Sequence, residues 1–164
     1  MISFNKDGWE KKKRTRLSSL VVGDVFALEV VGGGYAFGRL AAKIFDSFVA
    51  EFFDKIKSKP ELGVTEYEGM CVAIAPIEID SYSLFDRKIE GDWRIIGRDA
   101  AYAYPDPTGR IFKFGMPPNF KYVNMNGDFV GAPADFGDIP YLETNGDYRI
   151  QELIKECIAA GSMK

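Results

Sequence analysis

A long apolar segment near the start of the chain predicts a two-stranded antiparallel hairpin. Residues 25–30 are apolar at every position except Glu29, so both faces of the first strand are mostly apolar. A strand of this kind is usually covered on both sides. Residues 32–34 are three glycines, which supply the positive φ values that a tight reversal requires. The second strand starts at Tyr35, and its Gly38 leaves room for a bulge, a bend or another backbone.

Residues 39–57 fit either one helix or two strands. Their apolar residues fall at helical spacing, with charged residues such as Lys43 and Glu51 on the other side. The same residues also fit two strands joined by a turn at Asp46-Ser47. Periodicity alone favours the helix.

Three more strands are predicted further along the chain. Residues 70–79 form an apolar run that is interrupted by Pro76, which indicates an edge strand or a bulge. Residues 80–92 are expected to be a polar connection. Short strands are predicted at residues 93–97 and 110–114.

The C-terminal part of the chain predicts a closing helix from about residue 148 to residue 160. Residues 144–147 contain the Thr, Asn and Asp that commonly begin helices. Gly161 is placed to end it. The apolar stripe of this helix consists of Ile150, Leu153, Ile154, Cys157 and Ile158.

These elements together predict a mixed α+β fold. We expect a mainly antiparallel β-sheet, strongly curved or partly closed, with the C-terminal helix packed on it. The 164 residues, 46% of them hydrophobic, are enough for one domain with its own core. We therefore expect a single domain over residues 1–164, in which residues 1–16 form a basic N-terminal arm or lead-in.

Charge is unevenly distributed along the chain, although the net charge of −3 is too small to indicate a partner. Lysine and arginine are concentrated in residues 11–16, where they offer contacts to phosphate or form a solvated arm. Between Lys121 and Arg149 there is no basic residue, and several carboxylates occupy this interval.

Cysteine usage and hydropathy indicate the compartment. Cys71 and Cys157 lie in apolar runs, which predicts buried thiols in a reducing compartment, while the sequence leaves a disulfide open. The N-terminus lacks the apolar core of a signal peptide, and no apolar run approaches the length of a membrane span. We expect a cytoplasmic protein that has no membrane partner.

The residue types argue against enzyme chemistry. The chain has no histidine, which removes the commonest general base and the usual metal ligand. The glycines at residues 32–34 are not followed by the Lys-Ser or Lys-Thr of a phosphate-binding loop. We therefore predict no catalytic residue, no cofactor and no metal site.

The acidic stretch after residue 122 has three interpretations. It is a solvated loop, a protein-binding surface, or a set of carboxylates for acid–base or metal chemistry, in decreasing order of weight. Aromatic residues interleaved with the acids would serve as anchors in a binding surface, or else as core residues. The candidate binding residues are Asp128, Phe129, Asp135, Phe136, Asp138 and Tyr141.

Several segments between about residue 11 and residue 100 resemble the immunity protein 26 family of bacterial polymorphic-toxin systems. The similarity consists of the basic lead-in at residues 11–16, the segment at residues 23–27, the glycine turn and residues 35–39. Residues 51–54 and the strand that begins at Trp93 are also similar to the family. The resemblance favours strands over a helix for residues 39–57. Its structural motif residues are Gly23, Asp24, Phe26, Tyr35, Phe37, Gly38, Trp93 and Gly97.

The resemblance implies a non-enzymatic protein that binds and neutralises a cognate bacterial toxin, for which a nuclease is one candidate class. It carries over no catalytic residue and no set of toxin contacts. A small nucleic-acid-binding β-barrel that uses the basic arm is the alternative, although the overall acidity argues against it. A hydrolase that uses carboxylates and a metal is the weakest hypothesis. The sequence leaves the toxin, the contact surface and the oligomeric state undetermined.

Overall fold

A computed structural model describes residues 1–4, 9, 16–85, 92–133 and 139–164. Within these residues the chain forms nine strands and three α-helices. The strands are β1 (Ile2–Phe4), β2 (Asp24–Glu29), β3 (Tyr35–Ile44), β4 (Ser47–Lys57), β5 (Val72–Ile79), β6 (Trp93–Asp99), β7 (Ile111–Phe114), β8 (Lys121–Asn124) and β9 (Phe129–Val130). The helices are α1 (Val64–Glu68), α2 (Ser81–Phe85) and α3 (Asp147–Ala159).

The strands form two antiparallel sheets. The main sheet has the order β1-β6-β2-β3-β4-β5, and the small sheet has the order β7-β8-β9. All the strand pairings are antiparallel. The main sheet is open, with β1 and β5 at its two ends. The predicted α+β class, with a mainly antiparallel sheet and a C-terminal helix, is confirmed.

The predicted hairpin is formed by β2 and β3 at the centre of the main sheet. Phe26 and Leu28 point into the core cluster that includes α3, whereas Val25 and Ala27 point into a second cluster on the opposite face. Both faces of β2 are therefore covered, as its continuous apolar pattern predicted. The three glycines of the turn all have positive φ values, between 88° and 107°.

Residues 39–57 form strands, as the resemblance predicted. The loop between β3 and β4 consists of Phe45 and Asp46, one residue earlier than the predicted turn. The helical periodicity arose because β4 is also buried on both faces. Phe52 points into the core cluster with α3, and Phe53 points into the opposite cluster. A strand that is covered twice produces an apolar run that resembles a helix.

Pro76 lies in a bulge of the edge strand β5, as predicted. Ala50 pairs with Ile77 and Phe52 with Ile74, so β5 has one more residue than β4 between these two pairs. The bulge and the edge position accommodate a residue that has no backbone N–H.

The connection after β5 was predicted to be polar throughout, and this is wrong for its first part. It contains α2, whose Leu84 and Phe85 are buried in the core cluster that includes α3, which is the main core of the protein. The ring of Phe85 lies 5.6 Å from that of Phe26 and 5.8 Å from that of Trp93.

Helix α3 confirms the predicted closing helix. Ile150 and Ile154 are fully buried in the main core, whereas Ile158 of the predicted stripe is partly exposed. The helix is tied to the sheet by the indole N–H of Trp93, which donates to the Asp147 carboxylate at 2.8 Å. Gly161 follows the helix with φ of 73°, as a C-terminal stop requires.

Two other expectations need correction. Both cysteines are free, but Cys71 is exposed and Cys157 is only half-buried, because Cys71 lies just before the edge strand β5. The start of the predicted arm is attached to the main sheet rather than free: β1 pairs with β6, and the Trp9 ring packs 4.8 Å from that of Tyr35. The cluster at residues 11–14 lies outside the described residues. None of the described helices is long and apolar enough to cross a membrane.

Gly38 supplies the first testable prediction. A Cβ at this position would lie 2.7 Å from the Glu51 carbonyl oxygen and closer still to the end of the Phe26 ring. We expect Gly38→Ala to lower the free energy of unfolding by about 1–3 kcal/mol, because a packed backbone must move. Urea unfolding measures this change. Gly131→Ala, which meets only open space, is the matched control, and equal stability of the two variants would contradict the prediction.

Candidate protein-binding surface

The predicted binding residues belong to the small sheet and the segment that follows it. Asp128, Phe129 and Tyr141 are described, and all three are exposed. Asp135, Phe136 and Asp138 lie outside the described residues. The surface can therefore be built only from the part around β8 and β9 and from the segment beside β7.

Asp128 closes the turn between β8 and β9. The backbone N–H of Asp128 donates to the side-chain oxygen of Asn124 at 3.0 Å, and the backbone N–H of Asn124 donates to the Asp128 carbonyl at 3.1 Å. Gly127 provides the positive φ in this turn, at 85°. The turn fixes the backbone of Asp128 and leaves its side chain at the surface, immediately before Phe129.

Phe129 belongs to an aromatic triad that consists of Phe45, Phe114 and Phe129. The ring centroids of Phe45 lie 5.8 Å from Phe114 and 5.7 Å from Phe129, and those of Phe114 and Phe129 are 5.9 Å apart. Phe45 is 51% exposed and Phe129 is 64% exposed. The triad joins the tip of the β3–β4 hairpin to the small sheet and presents two rings to solvent.

Tyr141 lies apart from the triad. It forms a parallel bridge with Lys113 of β7, whose ammonium lies 4.5 Å from the centre of the Tyr141 ring. Lys113 and Phe114 are neighbours on one strand, so their side chains point to opposite faces of the small sheet. Tyr141 and Phe129 are therefore on opposite faces, and the structure does not bring these two candidate anchors together.

Phe45 is not among the binding residues that were predicted from the sequence, although it belongs to this surface. Its φ of 53° is the one positive value at a non-glycine position of the described chain. A two-residue hairpin loop usually has Gly, Asn or Asp where φ is positive. The departure of Phe45 from these residue types is the feature of the sequence that points to it. An aromatic residue at such a position is uncommon.

The motif residues hold the scaffold together. The buried carboxylate of Asp24 accepts from the Arg98 guanidinium at 2.6 Å and from the backbone N–H of Val21 at 3.0 Å. Gly97 allows the Phe4 ring and the Ser3 carbonyl to approach β6 closely. Phe37 is fully buried in the cluster opposite α3.

A buried polar network lies on the same side of the main sheet as Phe37. The guanidinium of Arg39 donates to the Glu51 carboxylate, with Nε at 3.0 Å, and also to the hydroxyl of Tyr67. The Tyr102 hydroxyl donates to the same Glu51 oxygen at 3.2 Å, and the Tyr102 ring stacks on Arg39 at 3.6 Å. The Tyr67 hydroxyl in turn donates to Asp99 at 3.3 Å.

Burial and charge set the protonation of this network. Burial alone would lower the pKa of Arg39, but its hydrogen bond and charge interaction with Glu51 prevail and raise it. Burial raises the pKa of Tyr102, and the nearby Glu51 carboxylate raises it further. Burial also raises the pKa of Tyr67, although Arg39 opposes that shift. The network therefore keeps a charged Arg39 beside neutral Tyr67 and Tyr102, and we assign it a structural role.

A groove of about 490 Å³ runs between the β2–β3 turn and α3. Its exposed apolar side chains include Val31 and Tyr148, which are 84% and 80% exposed. Gln151 joins its two walls, since its side chain accepts from the Val31 N–H at 3.1 Å and donates to the Glu29 carbonyl at 2.8 Å.

The described residues include no group of three or more His, Cys, Asp or Glu side chains that could hold a metal ion. They offer a sheet that is covered on both faces, with exposed aromatic and apolar side chains that include those of the triad and those of the groove beside α3. Such a surface is suited to contact with another protein.

Comparison with known proteins agrees with this class of protein. Residues 21–122 match the family described as Immunity protein 26. Since the match covers more than half of the chain, the protein belongs to the immunity protein 26 family. The matched segment begins just before β2, ends within β8 and does not include α3. No curated protein and no solved structure matches the chain.

The raised pKa of Tyr102 leads to a prediction about alkaline pH. An unfolded tyrosine loses its proton near pH 10, whereas the folded protein retains it. This contribution to stability is complete below about pH 10 and is lost as the pH rises further. We expect the free energy of unfolding to fall between about pH 10 and 12, and less steeply in Tyr102→Phe. Denaturant titrations across this range measure the slope.

The control for this experiment is Tyr82→Phe, because Tyr82 is exposed on α2. It should retain the slope of the unsubstituted protein. Identical slopes in Tyr102→Phe and in the unsubstituted protein would show that Tyr102 does not contribute.

Proposed function

We propose that this chain binds and neutralises a cognate toxin made by the same cell, and that it acts by association rather than by catalysis. The observation that supports this most directly is the family match over residues 21–122, because the family is one of immunity proteins. The scaffold is consistent with that role, because the polar side chains near the motif residues form hydrogen bonds that hold strands of the main sheet together.

We further propose that the toxin contacts the acidic and aromatic stretch from Asp128 to Tyr141. The exposed positions of Asp128, Phe129 and Tyr141 support this assignment. The interval between Lys121 and Arg149 has carboxylates and no basic residue. Carboxylates at this density would attract a basic partner and speed its association.

A nuclease is the class of toxin that fits this stretch best. The substrate cleft of a nuclease is basic because it receives phosphates, and carboxylates with interleaved aromatic rings imitate that substrate. We place the encounter in the cytoplasm and treat residues 1–164 as a single domain.

The proposed function predicts rescue of the cell from the toxin. The toxin domain encoded beside this chain should inhibit growth when expressed alone and should not do so when this chain is co-expressed. Calorimetry on the purified pair should give a one-to-one complex of nanomolar affinity or tighter, about −12 kcal/mol. Absence of both rescue and complex would contradict the proposal. Salt-sensitive binding of nucleic acid would then favour the alternative function of the basic arm.

The acidic stretch predicts a change in association rate. Asp135→Lys combined with Asp138→Lys should slow association with the toxin domain and reverse or weaken its salt dependence, because attraction is replaced by repulsion. Stopped-flow or surface-based kinetics at several salt concentrations measure this effect. Glu152→Lys on α3 is the control at an acidic position outside the proposed stretch. Unchanged kinetics in the double variant would remove the stretch as the contact.

A further inference from the structure

We propose that Phe45 and Phe129 form an anchor pair that inserts into an apolar pocket with a positively charged rim on the toxin. This inference rests on the proposed function and extends the contact surface to the β3–β4 hairpin, which the acidic stretch does not include.

The backbone of Phe45 is in a conformation that a phenylalanine adopts at a cost. Its φ of 53° places it in the left-handed region, at the first position of a two-residue hairpin loop. Glycine is the residue that satisfies this geometry without steric penalty. Strained residues of this kind are concentrated at binding and active sites, where the side chain is needed at that place. The ring therefore requires a reason beyond the turn itself.

The two rings are exposed and yet held in place. Phe45 and Phe129 contact each other and share Phe114, which is half-buried beneath them. The backbone of Phe129 pairs with Val123 directly after the β8–β9 turn, and Phe45 lies in the short loop of the paired β3–β4 hairpin. Aromatic side chains that are already ordered lose little entropy on binding, which makes them effective anchors.

The charged groups beside the pair are mainly acidic. Asp46 follows Phe45 and Asp128 precedes Phe129, and both are exposed. Lys121 pairs with Phe114 across the small sheet. Lys43 lies on the other face of the hairpin, where its ammonium is 5.7 Å from the Phe48 ring. Among the described residues, the carboxylates that adjoin the two rings in the chain, those of Asp46 and Asp128, favour a partner whose pocket has a basic rim.

Packing between the sheets alone does not account for the exposed rings. The space between the hairpin and the small sheet is already filled by the buried side chains of Ile44, Phe112 and Val123. A ring that served only as a brace would be expected inside this cluster, whereas Phe129 keeps 64% of its surface exposed. Phe45 contacts Phe114 and Phe129 and still keeps 51% of its surface exposed.

The chain offers a matched control at the opposite end of β3. Strand β3 has ten residues, so the groove beside α3 is about 30 Å from Phe45. Val31 and Tyr148 in that groove are at least as exposed as the anchor pair. Substitutions there remove comparable apolar surface without touching the triad.

The experiment measures affinity and dissociation rate for the toxin domain encoded beside this chain. The variants are Phe45→Gly, which removes the ring and suits the positive φ, and Phe129→Ser; the controls are Val31→Ser and Tyr148→Ser. Each anchor variant should weaken binding by roughly 30-fold or more, mainly through faster dissociation, as truncation of a hot-spot ring does. The control variants should bind within about 3-fold of the unsubstituted chain, since interface positions outside a hot spot contribute little.

The outcomes separate this inference from the proposed function. Loss of affinity in both anchor variants, with thermal midpoints retained and controls unaffected, supports the anchor pair. Unchanged affinity in Phe129→Ser overturns the anchor pair, while the immunity function stands. Loss of binding in the groove controls alone also overturns the anchor pair and leaves the immunity function standing. A lower midpoint with unchanged affinity in Phe45→Gly shows a structural brace and also overturns the anchor pair. Failure of the unsubstituted chain to bind the toxin overturns both proposals.

Discussion

The close contact between the Phe26 ring and the backbone of Gly38 is the constraint on which the rest of the structure depends. Gly38 has no side chain, so the Phe26 ring can lie against β3 at a point that the Glu51 carbonyl of β4 also approaches closely. From there the Phe26 ring contacts the rings of Phe52, Phe85 and Trp93, at centroid distances between 5.3 and 5.6 Å. The Phe26 side chain therefore connects β2, β3, β4 and β6 of the main sheet with one another and with α2. Dense aromatic packing of this kind makes the sheet rigid.

The second support of the scaffold is polar. On the face opposite α3, Arg39 and Glu51 form an ion pair between neighbouring strands, and Tyr67 and Tyr102 complete their hydrogen bonds. An ion pair this deeply buried is stabilising only when its hydrogen bonds are satisfied, which is the case here. Exposed apolar side chains lie at both ends of β3, among other places on the described surface. The anchor pair lies at one end and the groove beside α3 at the other.

The family match and the proposed contact surface overlap only in part. Residues 21–122 include the scaffold, Phe45 and Phe114, whereas Phe129 and the acidic residues after it lie beyond the match. A common scaffold with a contact segment outside it would allow different family members to meet different toxins. The specificity of each pair would then be set by a few exposed rings and charges rather than by the fold.

The sequence by itself determined the elements whose signals are local. The apolar run of β2, the glycine turn, the bulge at Pro76 and the stripe of α3 all follow from the spacing of neighbouring residues. The spacing of apolar residues alone pointed to a helix for residues 39–57, which the tertiary structure shows to be strands, since burial on both faces erases the alternation that identifies a strand. Only the tertiary structure decided that Cys71 is exposed, and that Phe45 meets Phe129 while Tyr141 faces away. These outcomes depend on which distant segments pack together, and a pattern of neighbours in the chain does not contain that information.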